Sequence, residues 1–188
     1  MKTKDEIAKI KASLLYILTQ FPEGVDFIKL FKIMYFAQQE HLVKYGRGVV
    51  EDSFYALKYG PVPSFTYKAI QVYQNKIKDS SEELKEIAEL IVIRENKIYA
   101  NGAVDMDELS ISDRKCIDNA ISAYRDVDSF HLSKLSHDTA WEEAYTRSQD
   151  DPEKNKMTLI EIAKAGKAEQ DIIDEIRESE IIKRAFSF

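Results

Sequence analysis

Apolar residues recur three and four apart over long parts of this chain, and that period is helical. Ile7, Ile10, Leu14, Leu15, Ile17 and Leu18 mark a first helix that ends before Phe21, Pro22, Glu23 and Gly24. Asp26 stands where a carboxylate caps a second helix, with Phe27, Leu30, Phe31, Met34, Ala37, Gln38, His41 and Leu42 on its inner stripe and Gly46 as a left-handed stop. This is the most apolar helical stretch, and it is expected at the centre of the core. Phe54 to Leu57 reads as a short extended run leading into KYGPVPS, residues 58–64. There Pro61 and Pro63 fix φ and remove two donors, and Gly60, preceding a proline, is expected to be extended. The stretch is therefore a rigid corner, neither mid-helix nor central strand. Val62, between the prolines, either docks a partner or packs inward. Ser64 is expected to cap a helix carrying Tyr67, Ile70 and Tyr73.

Residues 75–83 are polar and read as a loop or a frayed helix end. The β-prone runs 90–94 and 97–100, split by Glu95 and Asn96, predict a hairpin. Ser112 is expected to cap a helix with Ile117, Ala120, Ile121 and Tyr124 on one face and Cys116 at its border, a buried structural thiol. Asp128 opens a short helix through Leu135, and Asp138 or Thr139 caps the one that holds Trp141. Residues 148–156 read as a charged linker before two closing helical segments. In the tail Ile172, Ile173 and Ile176 share a stripe that Ile181 and Ile182 leave, with Phe186 and Phe188 beyond. Either Ser179 breaks and recaps the helix, or its two faces are covered by different bodies, one of them a partner or a second copy. The pattern as a whole predicts an α+β fold, mainly α: a single helical domain with a small antiparallel β element, a hairpin.

Composition narrows the function. A hydrophobic fraction of 44% with 32% charged residues is that of a globular chain long enough to bury a core. Apolar runs such as Leu90 to Ile93 are too short to span a bilayer, and no cleavable apolar leader follows the Lys-rich start, so the cytoplasm is the expected compartment and no membrane role is assigned. With Cys116 alone there is no internal disulfide and no thiolate zinc site. A formal charge of -6 argues against a nucleic-acid binder. Lys29, Lys32 and Lys44 near the second helix and Lys58, Lys68 and Lys76 around the corner then read as solvated faces.

Glycine-rich phosphate loops, nucleophile elbows, HExxH and cysteine clusters are all absent, so the chain is read as a non-enzyme with no catalytic, metal or cofactor-binding residue. His137 and Asp138, with His41 upstream and Asp150 or Asp151 downstream, are similar to the H...HD...D metal pattern of helical phosphohydrolases. The interval from His41 to His137 is too long for that arrangement. A metal-dependent hydrolase using His137 and Asp138 is thus the trailing alternative; otherwise His41 is a satisfied stripe residue and Asp138 a helix cap.

From Lys29 to Tyr67 the chain runs KLFKIMYFAQQEHLVKYGRGVVEDSFYALKYGPVPSFTY. This resembles the Panacea, or SocA-like antitoxin, domain family, on Lys29, Leu30, Lys32, Tyr35, Ala37, Gln38, His41, Leu42, Gly46, Ala56, Tyr59, Gly60, Pro61, Val62 and Tyr67. A second block, LSHDTAWEEA over Leu135 to Ala144, keeps the family's Leu135, His137 and Trp141, with Ala140 in place of a proline and a shorter spacer. The resemblance covers roughly residues 13–147. It implies a Panacea/SocA-like antitoxin domain over 1–147 and a C-terminal helical extension over 148–188, packing on the domain or on a partner. It also implies an antitoxin of a toxin–antitoxin system, phage or mobile-element associated in some relatives, that neutralises a toxin encoded nearby by direct protein contact. Candidate partner-binding or family-motif residues are Lys32, Tyr35, Gln38, His41, Lys58, Tyr59, Gly60, Pro61, Val62, Pro63, Tyr67, His137 and Trp141. A general interaction or adaptor protein of a mobile element is the alternative, and a homodimer is left open.

Overall fold

The second helix, α2 (Phe27–Tyr45), forms the axis of the molecule in a computed structural model that describes residues 2–186, apart from the side chains of Arg184 and Phe186. Leu30, Ile33, Met34, Tyr35, Ala37 and Leu42 are fully buried, so this helix is covered on nearly every side, as an all-round apolar helix must be. Asp26 caps it by accepting the N–H of Lys29 at 3.0 Å, and Gly46 ends it at φ 62°. Before it come α1 (Lys4–Thr19) and the two-residue strand β1 (Val25–Asp26). After it come β2 (Phe54–Leu57), β3 (Gly60–Pro63), α3 (Ser64–Tyr73), α4 (Glu82–Glu89), β4 (Ile91–Arg94) and β5 (Lys97–Ala100). The rest is helical: α5 (Ile111–Tyr124), α6 (Ser129–Leu135), α7 (Thr139–Asp150), α8 (Leu159–Ala165) and α9 (Gln170–Phe186). The class is α+β, mainly α, as expected. Helices α5, α6, α8 and α9 and strands β1 and β3 all pack against α2.

Among the described residues there are two antiparallel sheets where one hairpin was expected. The order β1-β5-β4 contains the foreseen hairpin, whose turn residues Glu95 and Asn96 take φ 49° and 61°. That pair of left-handed residues matches the twist of the strands it joins, even without glycine. The second sheet is β2-β3, in the register Phe54↔Pro63, Tyr55↔Val62, Ala56↔Pro61, Leu57↔Gly60. The prolines tolerate this strand because each strand of a two-stranded ribbon is an edge, and a missing donor can face outward. KYGPVPS is therefore a hairpin turn and its returning strand.

Four local expectations are corrected. Ser64 lies inside α3; Pro63 holds the cap position without a side-chain bond, and buried Asp52 supplies it instead, accepting the N–H groups of Phe65 and Thr66 at 2.9 Å each. Ser110, not Ser112, caps α5, in a capping box with Asp113. Helix α4 begins inside the stretch read as a loop, because Leu84, Ile87 and Ala88 find a core to bury against. The charged stretch 148–156 is not a free linker. Helix α7 continues to Asp150, a 3-10 turn covers Pro152–Asn155, Lys156 bridges Tyr55, and Met157 donates its N–H to Phe54 O at 2.9 Å.

At the C-terminus Ile162, Ala163, Ile173 and Ile176 join the same apolar cluster as α1 and α2. Helix α9 passes through Ser179 unbroken, so no recapping occurs there; Ile181 and Ile182 are 59% and 57% exposed. Phe188 and the Phe186 side chain, invoked with them, lie outside the described residues.

Candidate functional site

The tip of the β2–β3 hairpin is clamped by three helices through its backbone. Trp141 of α7 donates Nε1–H to Leu57 O at 2.9 Å, Ser133 of α6 donates its hydroxyl to Tyr59 O at 3.0 Å, and Lys32 of α2 donates from Nζ to Pro61 O at 2.9 Å. These are the carbonyls of every second residue across the turn. Gly60 is required here twice over: it takes φ 98°, which keeps the residue before Pro61 out of the helical region, and a Cβ on it would come within 2.9 Å of Lys32 Nζ. With the backbone held, Lys58 and Tyr59 project outward; Tyr59 is 57% exposed and the Lys58 ammonium sits 5.5 Å from its ring centroid. Pro61, Val62 and Pro63 are buried, and Val62 belongs to the core. Of the two roles open to Val62, burial gives it packing.

Lys32 is the least ordinary member. The sequence placed it on a solvated face, and the structure buries it completely. Burial alone brings its pKa down to about 7, because an ammonium taken from water loses hydration that one carbonyl cannot replace. His137 lies near enough for the Lys32 charge to matter. Burial first, then that charge, lower its pKa, against an opposing pull from Asp138. Among the described residues His137 Nε2 has no hydrogen-bond partner; the ring stacks on Trp141 at 3.7 Å and 7°, and Trp141 in turn stacks with Tyr145 at 4.8 Å.

Asp138 ties α7 to α2. One carboxylate oxygen caps α7 at Trp141 N (3.1 Å), and the other accepts from Tyr35 OH at 2.7 Å and Gln39 Nε2 at 2.8 Å. Burial and the neighbouring Asp138 charge push the Tyr35 phenol well above its ordinary value, so it stays a donor. Gln38 is buried one position along and accepts the N–H groups of Val49 and Val50 at 2.9 Å each, folding the loop after α2. Tyr67 stands edge-on to Phe31 at 6.0 Å, partly exposed.

His41 belongs to a different cluster. Its Nδ1–H donates to Arg47 O at 2.7 Å, and Nε2 lies 3.0 Å from Asp113 Oδ1. That approach is short but poorly aligned, since Oδ1 makes no well-formed hydrogen bond among the described residues. Burial pushes the Asp113 carboxyl up, but His41, Ser110 and the Lys9 ammonium at 3.2 Å outweigh it and hold the group well below the usual carboxylate range. The structure thus brings Lys32, Lys58, Tyr59, Gly60, Pro61, His137 and Trp141 around one hairpin and leaves Gln38, His41 and Tyr67 to the surrounding frame. Among the described residues no three His, Cys, Asp or Glu side chains gather as a metal site, and both Asp138 oxygens are already engaged.

Sequence reasoning missed Asp52, Asp113 and Ser133. The capping-box spacing from Ser110 to Asp113 could have revealed the second. Nothing local marks the others, whose partners lie on distant segments. No described helix is long and apolar enough to cross a membrane. No match was found among curated proteins or among solved structures. A family model described as antitoxin SocA-like, Panacea domain, does match residues 30–142, which take in most of α2, the clamped hairpin and the Trp141 that grips it. The chain belongs to the SocA-like antitoxin, Panacea domain family.

Proposed function

We propose that this chain is an antitoxin that neutralises a toxin encoded nearby by direct protein–protein binding in the cytoplasm, acting by recognition rather than catalysis. The observation that carries the reading is the hairpin tip, where outward-facing Lys58 and Tyr59 ride on a backbone fixed by Trp141, Ser133 and Lys32. A tip already ordered before contact loses little conformational freedom on binding, and an exposed tyrosine is a favoured anchor. Family membership supports the antitoxin role. Co-expression with each adjacent gene tests it, scored by growth rescue and co-purification. Rescue by the wild-type chain and its loss in a folded Tyr59→Ala variant are expected. Failure of the wild-type chain with either neighbour overturns the antitoxin reading; undiminished rescue by Tyr59→Ala overturns the role of the tip. A homodimer is a second, separate proposal, resting on exposed Ile181 and Ile182. Light scattering decides it: truncation after Ser179 turns a dimer into a folded monomer, and a full-length chain that is monomeric at high concentration refutes it.

A further inference from the structure

Carboxylates vanish from two segments that meet at the hairpin tip. The chain carries 33 acidic residues, yet 53–78 contains none beside Lys58, Lys68, Lys76 and Lys78, and 129–137 contains none beside Lys134. The segments touch where Ser133 donates to Tyr59 O at 3.0 Å. The acids that bound them at this face are spent on backbone: Asp52 caps α3, Asp128 caps α6 through His131 N, and Asp138 caps α7. Exposed acids resume at the borders of the two segments, at Asp79, Asp126 and the capping Asp128, and on α7 with Glu142 and Glu143.

What the face shows instead is aromatic rings under ammonium groups. Phe130 is 68% exposed with Lys134 Nζ 4.4 Å from its centroid, repeating on α6 the arrangement of Lys58 over Tyr59. Lys9, Lys11, Lys44, Lys85 and Lys154 all reach a carboxylate. Among the described residues Lys58 and Lys134 reach none. A cation resting on a ring keeps most of its charge available, and two of them beside two exposed aromatic faces complement a ligand that is both apolar and anionic. A nucleic-acid backbone is the poorer fit, since a long polyanion would run from this small face onto the rest of a chain of net charge -6. A short acidic protein segment stays within it.

We propose that the face formed by Lys58, Tyr59, Phe130 and Lys134 docks a protein segment in which acidic side chains flank an aromatic or aliphatic anchor. The proposal rests on the protein-binding reading above and adds the chemistry of the partner. The test pans a phage-displayed random dodecapeptide library on the full chain, with counter-selection on Lys58→Glu/Lys134→Glu. Both lysines are exposed, so the double variant is expected to melt as the wild type does; should it not, Lys58→Gln/Lys134→Gln carries the comparison. Surviving sequences should be net acidic with an apolar residue between the acids. The synthetic winner should bind the wild type at least tenfold more tightly than the double variant in fluorescence anisotropy, and lose affinity with added salt. Neutral or basic winners, no sequence surviving counter-selection, or tighter binding of a dT20 oligonucleotide would each overturn the proposal. Growth rescue separates the two readings: equal rescue by wild type and double variant sinks the docking face and leaves the antitoxin standing. Failure of the wild-type chain to rescue with either neighbour sinks the antitoxin, and the peptide result then judges the face alone.

Discussion

Replacing Lys32 by methionine isolates the energetics of the buried amine that pins the hairpin. The ammonium has one acceptor, Pro61 O at 2.9 Å, and burial brings its pKa from 10.5 to about 7. Below pH 7 both folded and unfolded chains are protonated there, so the cost of burying the charge is constant. Between pH 7 and about 10 the unfolded chain holds a proton that the folded chain has released, and stability rises with pH by up to about 1.4 kcal/mol per unit. At pH 7 the wild type therefore stands about 4 kcal/mol below its alkaline limit from this group alone. Lys32→Met keeps the stem and removes the amine, at a cost of about 1–3 kcal/mol for leaving the Pro61 carbonyl without its donor. The first effect exceeds the second at neutral pH. The variant is expected to be about 1–3 kcal/mol more stable than wild type at pH 7 and to lose that advantage between about pH 8 and 10. Urea unfolding of both proteins at pH 6, 7.5, 9 and 10, followed by circular dichroism, gives the difference directly, and titrations common to both cancel. A difference that does not move with pH, or a variant less stable than wild type at pH 7, would falsify the account of Lys32 as a desolvated lysine.

Other expectations follow from the same geometry. Val62→Asp places a carboxylate in the core beside α2 and should cost at least about 4 kcal/mol, seen as loss of cooperative melting, whereas a folded variant would mean that Val62 faces out. Trp141→Phe removes the donor to Leu57 O while keeping a ring on His137, so a loss of about 1–2 kcal/mol with faster amide exchange confined to β2–β3 is expected; exchange unchanged there would show that the tip is held without it. Asp113 has a folded pKa held below its unfolded value, so its contribution is present above about pH 4 and fades as pH falls through the folded value. Asp113→Asn should be less stable by about 2–4 kcal/mol at pH 7, with the gap narrowing in acid; a gap that is equal at pH 2.5 and pH 7 contradicts the assignment. Ile181→Ser/Ile182→Ser alters two exposed side chains and should stay within about 0.5 kcal/mol of wild type in urea at a dilution where light scattering finds both proteins monomeric.

Helical period, caps and punctuation by glycine and proline are local properties, and they determined most of the elements here. Phe27 to Leu42 repeats at helical spacing over several turns, Asp26 and Gly46 close it at each end, and Asp128 and Asp138 cap their helices where a short polar side chain can reach its own chain three residues on. The hairpin at Glu95 and Asn96 was equally local. The family was legible as well, because motif residues from Lys29 to Tyr67 lie close together in sequence. What depended on distant contacts stayed hidden. Periodicity sees an isolated helix, so Lys32 looked solvent-facing until β3 and α6 closed over it; helix α4 looked like polar loop until a core accepted Leu84 and Ile87. Proline signals reported that residues 58–64 could not be central strand, but only pairing with Phe54 to Leu57 made them a ribbon. The clamp on carbonyls 57, 59 and 61 draws donors from residues 29 to 84 positions away, a relation with no local signature. The exposure of Lys58 and Tyr59 beside Phe130 and Lys134 is likewise a product of packing, since the tip and α6 become neighbours only once three helices have gripped the turn between them.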